Sequence, residues 1–105
     1  MTLLAHACYE VLVESDQANH IADFIEWLRL EHGPDLLKTD GCFEYRLFRL
    51  NDCQVRVEYL FQSQDHLDHY LTVDAPRLRG KGAAFFADRS MRITRNQSSL
   101  LLSVR

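Results

Sequence analysis

The chain has 105 residues, 47% of them hydrophobic, which suits one domain around one core and is too apolar for disorder. A formal charge of -3 excludes a general attraction to nucleic acid or to an anionic membrane surface. No apolar run is long enough to span a bilayer and no basic-then-apolar leader opens the sequence, so a cytoplasmic location is expected.

Tyr9, Val11 and Val13 alternate with Cys8, Glu10, Leu12 and Glu14, which predicts a first strand. Ser15 or Asp16 is placed to cap a helix, and Ile21, Phe24, Ile25 and Leu28 recur at helical spacing as its buried stripe. His32 falls four residues further along that stripe. Gly33-Pro34 disturbs the helix there, and a short turn should follow to near Lys38 before Gly41 returns the chain to the sheet. Phe43 to Leu50 and Val55 to Phe61 read as a central hairpin. A two-residue loop at Asn51-Asp52 would pair Tyr45 with Glu58 and Arg46 with Val57, mixing charge with apolar side chains on both faces. A three-residue loop, Asn51-Asp52-Cys53, pairs Leu47 with Val57 and Tyr45 with Tyr59, and is expected for that reason, with Asp52 or Cys53 in a left-handed conformation.

After the hairpin, Ser63 or Asp65 is placed to cap a second helix with Leu67, Tyr70 and Leu71 on its buried side. Ala75-Pro76 should break or kink it, and a further helical piece with Leu78, Phe85 and Phe86 should be interrupted by Gly80 and Gly82. Met91 and Ile93 alternate with Arg92 and Thr94 in a last strand. The single domain therefore spans 1–105, with a core at about 7–97 and an apolar tail, 98–105, expected to pack on its own sheet edge or on a second subunit. Three cysteines, Cys8, Cys42 and Cys53, form no pairing framework and fit a reducing compartment.

The order β-α-β-β-α-β is the α+β, ferredoxin-like arrangement: an antiparallel sheet of order 4-1-3-2 with two helices on one face. The covered face should carry Tyr9, Val11, Val13, Phe43, Tyr45, Leu47, Val57, Tyr59, Met91 and Ile93. The opposite face holds Glu10, Leu12, Glu44, Arg46, Phe48, Arg56, Glu58, Leu60 and Arg92, too apolar to be simply wet and too charged for an ordinary core. Cross-strand ion pairs of Arg46, Arg56 and Arg92 with Glu10 and Glu58 would make it a solvated face. Alternatively, Leu12, Arg46, Phe48, Glu58 and Leu60 form the interface of a homodimer.

The segments Tyr9–Val13, Glu26–Pro34 (Glu-Trp-Leu-Arg-Leu-Glu-His-Gly-Pro), Tyr45–Leu47, Tyr70–Leu71 and Ala75–Arg79 (Ala-Pro-Arg-Leu-Arg) together resemble a family of short bacterial proteins known as a domain of unknown function. That family is similar to the dimeric α/β-barrel superfamily of ferredoxin-like folds. The resemblance covers about residues 7–95, carried mostly by the Glu-His-x-Pro break and the Ala-Pro-x-Leu-Arg segment. It implies a fold and a dimer rather than a reaction.

His32 is the side chain best placed for acid–base chemistry, at the end of the first helix on the face that meets the sheet. Trp27, Tyr45, Tyr59 and Tyr70 are candidates to line a pocket beside it. The plainer expectation is a core-edge histidine bonded to a carbonyl near Pro34, among ordinary core aromatics. Arg77, Arg79 and Lys81 sit beside two glycines and read as a solvated basic turn, with Arg79 the candidate anion anchor. His66 and His69, three apart, supply only two nitrogens, so no metal is expected. No cofactor motif is present.

The first functional expectation is a homodimer that binds a small organic ligand between sheet and helices, or serves as an interaction module. The second comes from the resemblance: the architecture includes cofactor-independent oxygenases and isomerases, which would make His32 the acid–base group, Tyr45 or Tyr70 the orienting phenol and Arg79 the anion anchor. RNA binding needs aromatics on the face away from the helices, and Tyr59 and Phe61 lie with the core set.

Overall fold

Alternation along the strands and helical periodicity between them produce a four-stranded antiparallel sheet in the order β2-β3-β1-β4 with the helices on one face. The structure is a computed structural model describing residues 6–104. Residues 1–5 and 105 of the expected domain lie outside the described residues. The strands are β1 (His6–Glu14), β2 (Cys42–Asn51), β3 (Gln54–Phe61) and β4 (Arg92–Leu100). Between them run α1 (Ala18–Trp27), α2 (Gly33–Leu37), α3 (Gln64–His69) and α4 (Ala75–Ala87).

Neither proline breaks its helix. A π-helical turn, Leu28–His32, joins α1 to α2, and a second, Tyr70–Asp74, joins α3 to α4. The N–H of Gly33 reaches back five residues to the carbonyl of Leu28, and that of Ala75 to Tyr70. A proline lacks a donor and crowds the carbonyl four residues earlier. Widening the preceding turn accommodates that ring while the chain stays helical. The chain also runs helically through Gly80 and Gly82, so the basic stretch lies within α4 rather than in a turn.

Ser63 caps α3, accepting from the N–H of His66 at 3.2 Å. Ser15 lies two residues before the N-cap of α1, Gln17, whose side chain makes no capping bond. Its hydroxyl instead accepts from the N–H of Gln17 at 3.2 Å and bonds His20 at 3.1 Å.

The hairpin has the expected register, with Tyr45 opposite Tyr59 and Leu47 opposite Val57. The odd residue is absorbed differently. Asn51 pairs with Gln54 across Asp52-Cys53, and an irregularity between Arg49 and Asn51 takes up the shift. No non-glycine residue has positive φ among the described residues. The Asn51 carboxamide accepts from the N–H of Cys53 at 2.9 Å and shapes the turn instead.

The core is formed by Tyr9, Val11, Val13, Val55, Val57, Tyr59 and Phe61 from the sheet, under Ile21, Phe24, Leu28, Leu36, Leu67, Tyr70 and Leu78 from the helical layer. Phe43 is a correction. A shift in pairing between Cys42 and Glu44 puts Cys42 in the core and leaves Phe43 42% exposed, its ring 4.8 Å from that of His6. The expected tail is corrected too: Ser98, Ser99 and Leu100 belong to β4, opposite Cys8, Ala7 and His6. Beyond them Leu101, Leu102 and Val104 are exposed rather than packed on the sheet edge.

On the outer face Cys8 and Leu60 are buried, and Arg46 bonds Glu44 at 2.8 Å rather than its cross-strand partner Glu58. Arg56 lies 3.8 Å from Glu58 and over the ring of Phe48, and Arg92 reaches Glu14 and Asp16.

Candidate functional site

The sheet and helices do not close completely. Between them lies a cavity of about 290 Å³, near the lower end of the size usual for small-molecule sites. Its sheet side comes from Tyr9, Val11 and Val13 of β1, Tyr59 of β3, and Ile93 and Arg95 of β4. Its helical side includes Phe24 and Trp27 of α1, Leu78, Arg79, Gly82, Ala83 and Phe86 of α4, and one residue from each π-helical turn, His32 and Tyr70. Each turn beside a proline therefore supplies a polar ring to the cavity.

Trp27 organises one wall. His32 stacks with it at 4.7 Å between ring centroids, and Phe85 stacks with it at 5.0 Å, with the Arg89 guanidinium 4.1 Å from the Phe85 ring. Gly82 makes this possible, since a Cβ there would lie 2.9 Å from the edge of the Trp27 ring.

His32 makes no side-chain hydrogen bond among the described residues, to a carbonyl or to anything else. Burial holds its pKa down at about 4; Asp35 acts to raise it and Lys81 to lower it further. The imidazole is therefore neutral near pH 7. It also faces a smaller space of about 30 Å³ lined by Glu31, Asp35 and Lys81, where Lys81 bonds Asp35 at 2.6 Å.

Tyr59 and Tyr70 are both pushed well above the ordinary phenol pKa, chiefly by burial, and stay protonated. Tyr59 has no protein partner for its hydroxyl among the described residues. Tyr9 lies directly opposite Tyr59, with ring centroids 5.9 Å apart, and its hydroxyl accepts from Arg79 at 3.2 Å. Arg95 also lines the cavity and has no carboxylate partner among the described residues, nor has Arg79; no Asp or Glu lines the cavity. The site thus offers two cations, neutral phenol donors, a neutral imidazole and an aromatic wall. That combination can bind and polarise a small anion-bearing organic molecule.

Of the residues singled out from the sequence, His32, Trp27, Tyr59, Tyr70 and Arg79 come together here. Tyr45 does not: its hydroxyl is packed against Gly33, where a Cβ would collide with it. Arg77 and Lys81 are paired with Asp74 and Asp35. His66 bonds Ser63 at 2.6 Å and lies 4.0 Å from Asp40, and no group of three potential metal ligands occurs among the described residues. Tyr9 and Arg95 were missed. The signal for Arg95 was present, because it follows Ile93 by two and so shares the covered face, where an arginine is out of place.

Residues 6–97, a span that includes every residue lining the cavity, match the family described as domain of unknown function DUF4286. The chain belongs to this family. The family description assigns no activity, and no curated protein matches the chain in sequence.

Solved structures share the ferredoxin-like fold. A dimeric ferredoxin-like protein from an uncultured marine organism superposes with a TM-score of 0.74 at 11% identity, over 94% of this chain and 98% of that one. A putative antibiotic biosynthesis monooxygenase from Caulobacter crescentus gives 0.65 at 19% identity, over 98% and 94%. SnoaB, a cofactor-independent oxygenase from Streptomyces nogalater, gives 0.61 at 12% identity, over 96% and 94%. At these identities the likeness is one of fold. No helix among the described residues is long and apolar enough to cross a membrane.

Proposed function

We propose that this protein is a homodimer that binds a small organic ligand in the cavity between its sheet and helices. The observation that carries the reading is the cavity itself: an aromatic wall, with the Tyr59 hydroxyl and the His32 imidazole without a hydrogen-bond partner among the described residues. Both groups face the cavity, and a ligand there would supply the hydrogen bonds that protein does not. Trp27, Tyr59 and Arg79 are binding residues in this reading. Mass spectrometry of gently purified protein tests it, comparing wild type with Ala83→Trp, which fills the cavity from α4. Wild type should carry a small molecule that the variant lacks. Empty wild type that also shows no thermal shift with any member of a small-molecule library would overturn the reading.

The dimer reading uses the outer sheet face. Leu12, Phe48 and Leu60 form its apolar centre, and Glu10 and Glu58 stand directly opposite each other, a repulsive arrangement that a cation from a second copy would relieve. The buried Nε of Arg56 has no hydrogen-bond partner among the described residues. One fold neighbour is itself described as dimeric. Sedimentation velocity should show twice the 12.3 kDa chain mass for wild type and the single mass for Phe48→Glu, with unchanged circular dichroism. A wild-type monomer at tens of micromolar sinks this assembly.

One observation favours a catalytic variant of the reading: His32 is a neutral imidazole on the cavity wall with no hydrogen-bond partner among the described residues, and Tyr70 and Arg79 line the same cavity. The proteins of this fold described as a cofactor-independent oxygenase and a putative monooxygenase make oxygenation the reaction class to test. Binding without catalysis is the better supported of the two. No carboxylate hydrogen-bonds the imidazole, Tyr45 lies elsewhere, and a pKa near 4 makes His32 a weak base until an anion beside it raises that value. Turnover of the co-purifying molecule by wild type and its loss in His32→Ala, at equal binding, would reverse this preference.

A further inference from the structure

The distribution of charge around the cavity names the class of molecule it takes. The chain as a whole is acidic, with 15 Asp and Glu against 12 Lys and Arg. Nevertheless, the two charged side chains that line this cavity, Arg79 and Arg95, are both cations, and neighbouring cations of α4 are neutralised where Arg79 is not. Arg77 is paired with Asp74 and Lys81 with Asp35, whereas Arg79 bonds the hydroxyl of Tyr9 and no carboxylate among the described residues. Arg95 lies opposite Val11 in the β1–β4 ladder, one same-face step along β1 from Tyr9. Arg79 from a helix and Arg95 from the edge strand therefore reach the same cavity from two elements. Their fields reach further in, Arg95 favouring the ionised form of Tyr59 and Arg79 that of Tyr70, though burial outweighs both. Away from this corner the lining turns aromatic and aliphatic, with Phe24, Trp27, Leu78 and Phe86.

We infer that the ligand is an aromatic carboxylic acid, its carboxylate held between Arg79 and Arg95 beside Tyr9, and its flat body against Trp27 and Phe86. A guanidinium matches a carboxylate with paired N–H donors, and an aromatic wall suits a ring at offset or edge contact. This inference rests on the cavity being a ligand site and adds the chemistry of the ligand.

The test uses full-length protein and matched probes: benzoate against benzyl alcohol, and 2-naphthoate against 2-naphthalenemethanol, titrated by calorimetry. The single tryptophan, Trp27, provides a second readout through its fluorescence. At least one acid should bind about tenfold or more tightly than its alcohol, as charged hydrogen bonds warrant. Arg79→Gln and Arg95→Gln should each lower acid affinity by about tenfold and leave alcohol affinity unchanged. Both arginines are exposed enough for glutamine to leave the fold intact, which circular dichroism checks. Equal binding of acid and alcohol, or acid binding indifferent to both substitutions, overturns the carboxylate assignment and leaves the cavity a ligand site. No binding of any of the four probes at millimolar concentration overturns the aromatic-acid assignment and leaves the ligand-site reading to the co-purification and library test.

Discussion

Gly80 and Gly82 are two residues apart in the middle of α4, and the same substitution should act on them with opposite sign. Replacing an interior helical glycine by alanine gains about 0.8–1.0 kcal/mol of helix propensity wherever the new methyl is free. At Gly80 nothing lies within 4 Å of the added Cβ, so Gly80→Ala should stabilise by nearly that amount. At Gly82 the Cβ would stand 2.9 Å from the Trp27 ring. That ring is held between contacts with His32, Phe85 and Phe86 and cannot turn away without disturbing them. Overpacking of this kind costs about 1–3 kcal/mol, so Gly82→Ala should come out between neutral and roughly 2 kcal/mol destabilising. Urea unfolding followed by Trp27 fluorescence measures both variants, at one fixed protein concentration so that any association is held constant. In heat, a difference of 1 kcal/mol corresponds to about 4–8 °C in Tm for a domain of this size. Equal stabilisation by the two alanines would refute the claim that Gly82 is there to admit Trp27.

The histidine and the buried phenol give two further expectations. His32 titrates at about 4 in the folded chain against 6.5 for an ordinary histidine, so between those values the unfolded chain binds the extra proton. The neutral imidazole's share of stability is complete above pH 6.5 and is lost as pH falls to about 4, a loss of roughly 3 kcal/mol. Subtracting the pH–stability curve of His32→Gln from that of wild type isolates this share from the titrating carboxylates; parallel curves over pH 4–6.5 would contradict it. Tyr59→Phe removes a hydroxyl with no protein partner, so folding stability should change by less than about 1 kcal/mol while the thermal shift given by ligand falls. A loss of several kcal/mol in the ligand-free protein would mean that the hydroxyl is bonded after all.

Alternation along Tyr9–Val13 and Tyr45–Leu47, with the stripe Ile21, Phe24, Leu28, was enough to give the element order, the sheet order and the covered face. These are nearest-neighbour consequences of a period of 2 or 3.6, and burial selects one face for each element. The hairpin register was legible because a shift by one residue would have turned Arg46 and Glu58 into the core. Where the odd residue went was not legible, since a bulge and a longer loop satisfy the same alternation. Phe43 was misplaced for the same reason: an irregularity one residue long reverses a face without leaving a mark in composition.

The candidate site divides along the same line. His32, Tyr59 and Tyr70 could be assigned to the covered face from spacing alone, because each lies on a periodic stripe. Their convergence on one cavity involves two π-helical turns, which hold His32 and Tyr70 and keep the chain helical up to prolines that the local sequence reads as breaks. Tyr45 shows the converse, a phenol on the right face whose hydroxyl is taken up by the close approach of Gly33. Arg79 reaches Tyr9 across 70 positions of sequence, and Arg95 comes in from an edge strand. Local sequence therefore determined which side of each element meets the helices. Only the packing of helix on sheet decided which of those side chains share a space, because that depends on distances between elements that no single element encodes.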